Sequence, residues 1–178
     1  LIIRSFFFLG LIETALCYTG FYLVMGPMRA FETLNLGFLV IPGTAALSMD
    51  ELTMLATTVF HAGVVTAQIG NAFACRTEYN RGRQIGWLSN RSLMLGVGGE
   101  IVIILSLIYI PFLAQIFDHQ PLPLVYWGWL ALYAPVVYSL DRLRKSMARH
   151  LIGPRHFVPP NVLTRFGGAA SQPKKDAH

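Results

Sequence analysis

Apolar residues are gathered into four long runs, 2–25, 52–74, 92–117 and 124–140, separated by shorter polar stretches. Each run is near the 17 to 25 residues, roughly, that a helix needs to cross a bilayer. A membrane barrel would instead use strands of about 10 residues with strict alternation, whereas 101–110 is almost continuously apolar. The pattern predicts an all-α membrane protein: a four-helix transmembrane domain over 1–150, followed by a tail over 151–178. The segment 26–51 carries Gly26-Pro27 and Pro42-Gly43 around the apolar 36–41, too short to cross, and predicts a folded loop touching the membrane surface. The third loop, with Asp118, His119, Pro121 and Pro123, is expected to be a short turn. The tail has no sustained periodicity and is expected to be disordered and cytoplasmic.

Composition agrees with the pattern. Hydrophobic residues make up 54% and charged residues only 13%, against roughly a quarter charged in soluble domains. Mean hydropathy is +0.51. The first run exceeds the apolar core of a signal peptide, about 7 to 15 residues, and no small-residue cleavage site follows, so it reads as a retained span. The first residue is Leu1, not methionine, and we expect the sequence to be a fragment.

Basic residues orient the spans. Arg4 precedes the first, Arg76, Arg81, Arg83 and Arg91 fill the second loop, and Arg142, Arg144, Lys145 and Arg149 follow the last. The first loop has only Arg29 and the third no Lys or Arg, so both termini and the middle loop are expected in the cytoplasm. The net charge of +5 therefore belongs to membrane flanks. A nucleic-acid footprint would instead interleave basic and aromatic residues on a soluble face, so no nucleic-acid partner is expected. Cys17 and Cys75 fall at different depths and form no zinc or redox spacing; both read as thiols packed among apolar groups.

The candidate chemistry lies inside the spans. At about 100° per residue, Thr57, His61, Gln68, Asn71 and Cys75 share an arc of roughly 80° on the second helix, giving it one polar stripe. Gly63, Ala67, Gly70 and Ala74 lie beside the stripe and would admit a close helix neighbour. Glu13, Gln68 and Glu100 each lie about 12 to 14 Å in from the nearest cytoplasmic arginine, which sets three helices' polar groups at one level. An unpaired carboxylate there must be protonated or accompanied by a cation or amide partners. Two readings stay open: a cation or proton path through Gln68, Asn71, Glu100 and Glu13, or plain hydrogen bonding between packed helices. Glycines near both carboxylates (Gly10 and Gly20; Gly96, Gly98 and Gly99) would allow close backbone approach. His61 alone reads as structural, and Asp141 as a partner of cytoplasmic cations.

Three segments carry a family resemblance. They are Arg4-Ser5-Phe6-Phe7-Phe8-Leu9-Gly10-Leu11-Ile12-Glu13, then Ala67-Gln68-Ile69-Gly70-Asn71-Ala72-Phe73-Ala74-Cys75-Arg76-Thr77-Glu78, and Asp141-Arg142-Leu143-Arg144-Lys145. Together they resemble the last four membrane helices of type II P-type cation-transporting ATPases, over roughly residues 2–150. The segment from Gln68 to Thr77 is the most specific and is similar to the eighth helix of bacterial calcium and sodium/potassium-type pumps.

The resemblance implies an ATP-driven phosphorylation cycle that moves cations across a ten-helix membrane domain in a prokaryotic plasma membrane. It implies ATP and magnesium as cofactors of the intact pump. The N-terminal transport helices, the cytoplasmic ATPase domains, the lipid bilayer and the transported cation are the implied partners. No Asp-Lys-Thr-Gly-Thr motif occurs in these 178 residues. Gln68 resembles the position where calcium pumps have an ion-binding glutamate and sodium pumps a glutamine. Asn71 resembles one held by aspartate in sodium pumps and asparagine in calcium pumps, so the pair mixes both patterns. Glu100 resembles a ninth-helix glutamate near an additional sodium site, and Asp141 the aspartate closing the tenth helix, although Arg142 stands where an acidic residue often follows. The expected role is a support region that braces the transport helices and lends them polar ligands. The alternative is a free-standing four-helix protein acting as a pump partner or regulator. A haem-carrying bundle would need paired histidines, and only His61 lies inside a span.

Overall fold

The computed structural model describes residues 5–75 and 90–152, with side chains over 7–75 and 90–147. Arg4, the loop arginines Arg76, Arg81 and Arg83, and the tail from 153 lie outside the described residues. A π-helical turn, Ser5–Leu9, leads into α1, Gly10–Met25. A 3-10 turn, Pro27–Ala30, precedes a hairpin of β1, Thr33–Asn35, and β2, Val40–Pro42. Then come α2, Met49–Ala74; α3, Arg91–Tyr109; α4, Pro111–Ile116; α5, Leu124–Leu130; and α6, Tyr133–Ile152.

Three helical stretches are long and apolar enough to cross a membrane: Phe7–Ala30, Met49–Ala74 and Arg91–Tyr109. The third and fourth apolar runs are not the single helices expected. Pro111 forces Ile110 out of the helical region (φ −85°, ψ 115°), which ends α3, and then starts α4 from its first position. Pro135 has no N–H for the carbonyl of Ala131, and its ring crowds that carbonyl. The break between α5 and α6 falls there, at Ala131 and Leu132, and α6 then continues past Asp141 to Ile152.

Helix starts are set by side chains. Ser48 and Glu51 form a reciprocal cap on α2: the Glu51 carboxylate accepts from the Ser48 N–H at 2.9 Å, and Ser48 Oγ accepts from the Glu51 N–H at 3.3 Å. Asn90 Oδ1 accepts from the Leu93 N–H at the start of α3.

Helix α2 is the centre of the bundle. Of its most apolar window 44% is buried, against 22% and 17% for the other two spans. Leu52, Leu55, Ala56, Val59 and Ala62 meet Val24 of α1, Ile104 and Ile108 of α3, and Leu130, Tyr133 and Val137 of α5 and α6 in one core. The small residues beside the polar stripe are contacts with the fourth segment. A methyl group on Gly63 would touch Tyr133 at 3.1 Å, and one on Gly70 would lie 2.4 Å from the Ala134 carbonyl oxygen. Leu11, Leu95, Val102, Ile103 and Phe112 remain exposed, as suits helices whose solvent is lipid.

At the other end of α2 the loop expected to fold does so. Thr33, Leu34 and Asn35 pair antiparallel with Pro42, Ile41 and Val40. Buried Thr44 donates from Oγ1 to the Val24 carbonyl at 3.1 Å and from its N–H to Met28 at 2.8 Å, and Tyr126 Oη donates to the Pro42 carbonyl. Nearby, Trp127 Nε1 donates to Tyr109 Oη and Tyr109 to the Leu122 carbonyl, both at 2.8 Å, an amphipathic aromatic group of the kind found at membrane interfaces.

Backbone contact at Gly70 gives the first prediction. Gly70→Val must separate α2 from α6 and should cost about 1 to 3 kcal/mol, read as earlier thermal unfolding in detergent. Gly98→Ala, where a methyl group meets nothing within 4 Å, should change stability by less than about 0.5 kcal/mol.

Candidate functional site

The first turn of α1 and the last turn of α2 bring Glu13 and Asn71 together. Cys75, one turn below Asn71, donates from Sγ to Asn71 Oδ1 at 2.9 Å. That occupies the oxygen of the amide and leaves its NH2 to donate, and the Glu13 carboxyl accepts a side-chain hydrogen bond from Asn71. Glu13 Oε1 is buried without a partner among the described residues. Cys17, one turn from Glu13 on the same face, is 2% exposed and packed in the helix interface. Gly20, a further turn along, lies against Val59 and the Tyr133 hydroxyl, which is fixed in turn by Trp129 Nε1 at 3.1 Å. At Gly20 it is side chains of α2 and α6 that come close, where a backbone approach was expected.

The other two candidates stand apart from this cluster. Gln68, one turn from Asn71 on α2, is exposed. Glu100 lies between Val97 and Ile104 on the packed face of α3, half-buried, with Oε2 buried and unpartnered among the described residues. Gly96, Gly98 and Gly99 meet nothing within 4 Å, so the close backbone approach expected around Glu100 is absent among the described residues. An exposed amide and an orphan carboxylate oxygen on otherwise apolar helices are groups whose partners must come from elsewhere.

Two clusters went unseen in the sequence. His61 Nδ1 and His119 Nε2 are 2.7 Å apart, and the Gln120 N–H donates to Thr58 Oγ1 at 2.9 Å, so the loop between α4 and α5 folds onto α2. His61, expected to be structural, has His119 as its neighbour across the loop. The separation leaves no room for an iron between the rings, since two metal–nitrogen bonds take about 2 Å each. His119 offered little signal, being one polar residue in a proline-flanked loop.

The second cluster joins α6 to the end of α2. Asp141 is 2% exposed and Lys145 3% exposed. Lys145 Nζ lies 2.5 Å from Asp141 Oδ2 and donates to the Ala74 carbonyl, while Arg144 Nη2 and Nε donate to Asp141 Oδ1 at 2.6 and 2.9 Å. Asp141 pairs with cations, as expected; the partners are Arg144 and Lys145, and Arg142 is exposed. A cation on the last carbonyls of α2 also complements the negative end of that helix.

Among the described residues no group of three or more His, Cys, Asp or Glu side chains could hold a metal ion. The oxygen donors come instead from three helices: Glu13 of α1 faces Asn71 of α2, while Gln68 of α2 and Glu100 of α3 stand apart from them. Oxygen donors of this kind suit hard cations, and a carboxyl held by an amide suits a proton.

Residues 1–147 match the family described as "Cation transporting ATPase, C-terminus". Among characterised proteins the chain is similar to "Calcium-transporting ATPase 1" of Yarrowia lipolytica, 30% identical over 89 residues. The aligned stretch is 50% of this chain and 10% of that protein, so the chain spans only a small part of the relative's length.

The buried ion cluster makes a prediction independent of ions. Lys145→Met leaves Asp141 with Arg144 alone and the Ala74 carbonyl without its donor, and should destabilise by about 3 kcal/mol in denaturant unfolding. Replacing the pair together, Asp141→Leu with Lys145→Met, should recover at least half of that loss.

Proposed function

Because the chain belongs to the family of cation-transporting ATPases, whose C-terminal region it matches over residues 1–147, we propose that its apolar runs are the last four membrane spans of an ATP-driven cation pump. The chain is a transmembrane part of such a pump; the four crossings, the cytoplasmic placement of both termini and the roles below are our reading. The domain division follows from it, with 1–150 in the membrane and 151–178 as a cytoplasmic tail. The fourth crossing would be made jointly by α5 and the start of α6, the proline break lying within it. The scarcity of Lys and Arg in the first and third loops, Arg29 alone in the first and neither in the third, supports the orientation.

We assign the region two tasks. It braces the transport helices, through α2 fixed to α1 at Asn71–Glu13 and to α6 at Ala74–Lys145. It also lends oxygen ligands to the cation path, from Gln68 and Asn71 with Glu100 as a further contributor. The carrying observation is Gln68: a polar amide exposed on the most buried of the helices, beside an Asn71 already held in place. A side of the bundle that presents such a group to lipid would be costly, so the reading places the preceding transport helices of the pump against it. ATP and magnesium serve the catalytic domains of the intact pump. The similarity of Gln68–Thr77 to bacterial pumps supports a prokaryotic plasma membrane, although the relative named above is from a yeast.

Cation-dependent phosphorylation of the intact pump tests the assignment. Gln68→Ala and Asn71→Ala should each raise the half-saturating cation concentration about tenfold, the equivalent of roughly 1.4 kcal/mol. Glu100→Ala and Glu13→Gln should shift it less or alter its pH dependence. Wild-type cation dependence in all four would reduce these residues to helix packing.

A further inference from the structure

The hairpin between α1 and α2 ends in an apolar tip. From Thr33 to Met49 there is no charged residue. Leu34, Leu36, Leu39 and Val40 are exposed, and Phe38 is 90% exposed. Hairpins that stand in water guard their free edges with charged side chains, lysine above all, and this one has none.

Its backbone is prepared for an apolar surrounding. At the tip the Leu36 N–H donates to the Leu39 carbonyl at 2.9 Å, and the Gly37 N–H to Asn35 Oδ1 at 2.9 Å. Gly37 holds φ +82°, which permits this tight turn. The base is closely packed: a methyl group on Gly43 would collide with the Phe31 carbonyl, Thr44 ties the base to Val24 and Met28, and Tyr126 of α5 donates to the Pro42 carbonyl. The tip is therefore aimed by the fold.

Position favours lipid over water. Helix α2 has 26 residues, so it is about 39 Å long against a hydrocarbon core of about 30 Å, and the surplus of about 9 Å falls within or near the headgroup layer. The hairpin leaves from this end of α2, beside the Tyr109–Trp127 aromatic pair. From Thr33, where β1 begins, to Phe38 at the tip the chain reaches at most about 16 Å, short enough to return to the headgroup boundary. On α1, Tyr18 and Tyr22 are exposed as well.

We propose that this hairpin is a lipid-binding wedge, with Phe38, Leu36, Leu39 and Val40 seated among the headgroups and first acyl carbons of the outer leaflet. It is independent of the cation path and of which ion is moved.

The test uses the full-length protein in vesicles of phosphatidylcholine and phosphatidylglycerol, with the photocrosslinker benzoylphenylalanine at position 38 or, as control, at exposed Glu32. Mass spectrometry of the irradiated hairpin peptide should find phospholipid adducts several-fold above the position 32 control. Crosslinks to protein instead would assign the tip to a protein partner, and adducts no higher than the control would leave it in water; either result overturns the proposal. Should the crosslinking variant not assemble, a nitroxide on Phe38→Cys decides. Collision with oxygen should exceed collision with a nickel chelate several-fold, and the reverse order overturns the wedge.

Discussion

Lys145 joins α6 to α2 at the point where two requirements meet. Its ammonium lies 3% exposed between the Asp141 carboxylate and the Ala74 carbonyl. A buried charge needs a counter-charge, and the last carbonyls of α2 have no intrahelical donor. One side chain answers both. It thereby fixes the end of α2 against α6, and Gly70, one turn above, lets the two backbones touch at Ala134. Such a pair adds little to stability relative to an apolar contact, but removing one partner alone is expensive, which makes the arrangement specific more than strong.

The position of Asn71 follows from that constraint. It sits three residues before Ala74, so the clamp and the close Gly70 contact set both its height and its rotation, and Cys75 then holds its amide. Glu13 meets the remaining end of the amide from α1. A polar layer in an apolar bundle is thus positioned by a cluster nearer the membrane flank, and the same rotation of α2 that buries Ala67, Gly70 and Ala74 leaves Gln68 facing outward.

What the sequence disclosed, and what it withheld, follows from the range of each interaction. Apolar run length revealed the membrane helices, and the helical period placed Asn71 on a polar stripe beside small residues; both are local in the chain. The loop at 26–48 was also legible, because six apolar residues between Pro-Gly and Gly-Pro pairs cannot span a bilayer. Pro111 and Pro135 were legible in principle, yet continuous hydropathy across them suggested unbroken helices. His61 with His119 and Lys145 with Ala74 join residues 58 and 71 positions apart, and no local pattern marks such pairs. Glu100 lies on the packed face of α3 with a buried carboxylate oxygen, and its distance from Arg91 along the helix carries no information about which group meets that oxygen.

Both ends of α2 obey one rule, that a polar group leaving water must find a partner or a boundary. At one end Ser48 and Glu51 satisfy each other, and the hairpin bonds its own tip before presenting apolar side chains. At the other, Lys145 satisfies Asp141 and Ala74 together. Between them Asn71 is satisfied by Cys75 and Glu13, whereas Gln68 is exposed and Glu100 keeps a buried oxygen without a partner among the described residues. Among the described residues the buried atoms left without a partner are Glu13 Oε1 and Glu100 Oε2 within the spans, and His119 Nδ1 and Gln120 Oε1 in the loop between α4 and α5. Polar groups inside apolar helices need partners of matching polarity, and that need is the ground on which we propose that transport helices of a pump lie against Gln68 and Glu100.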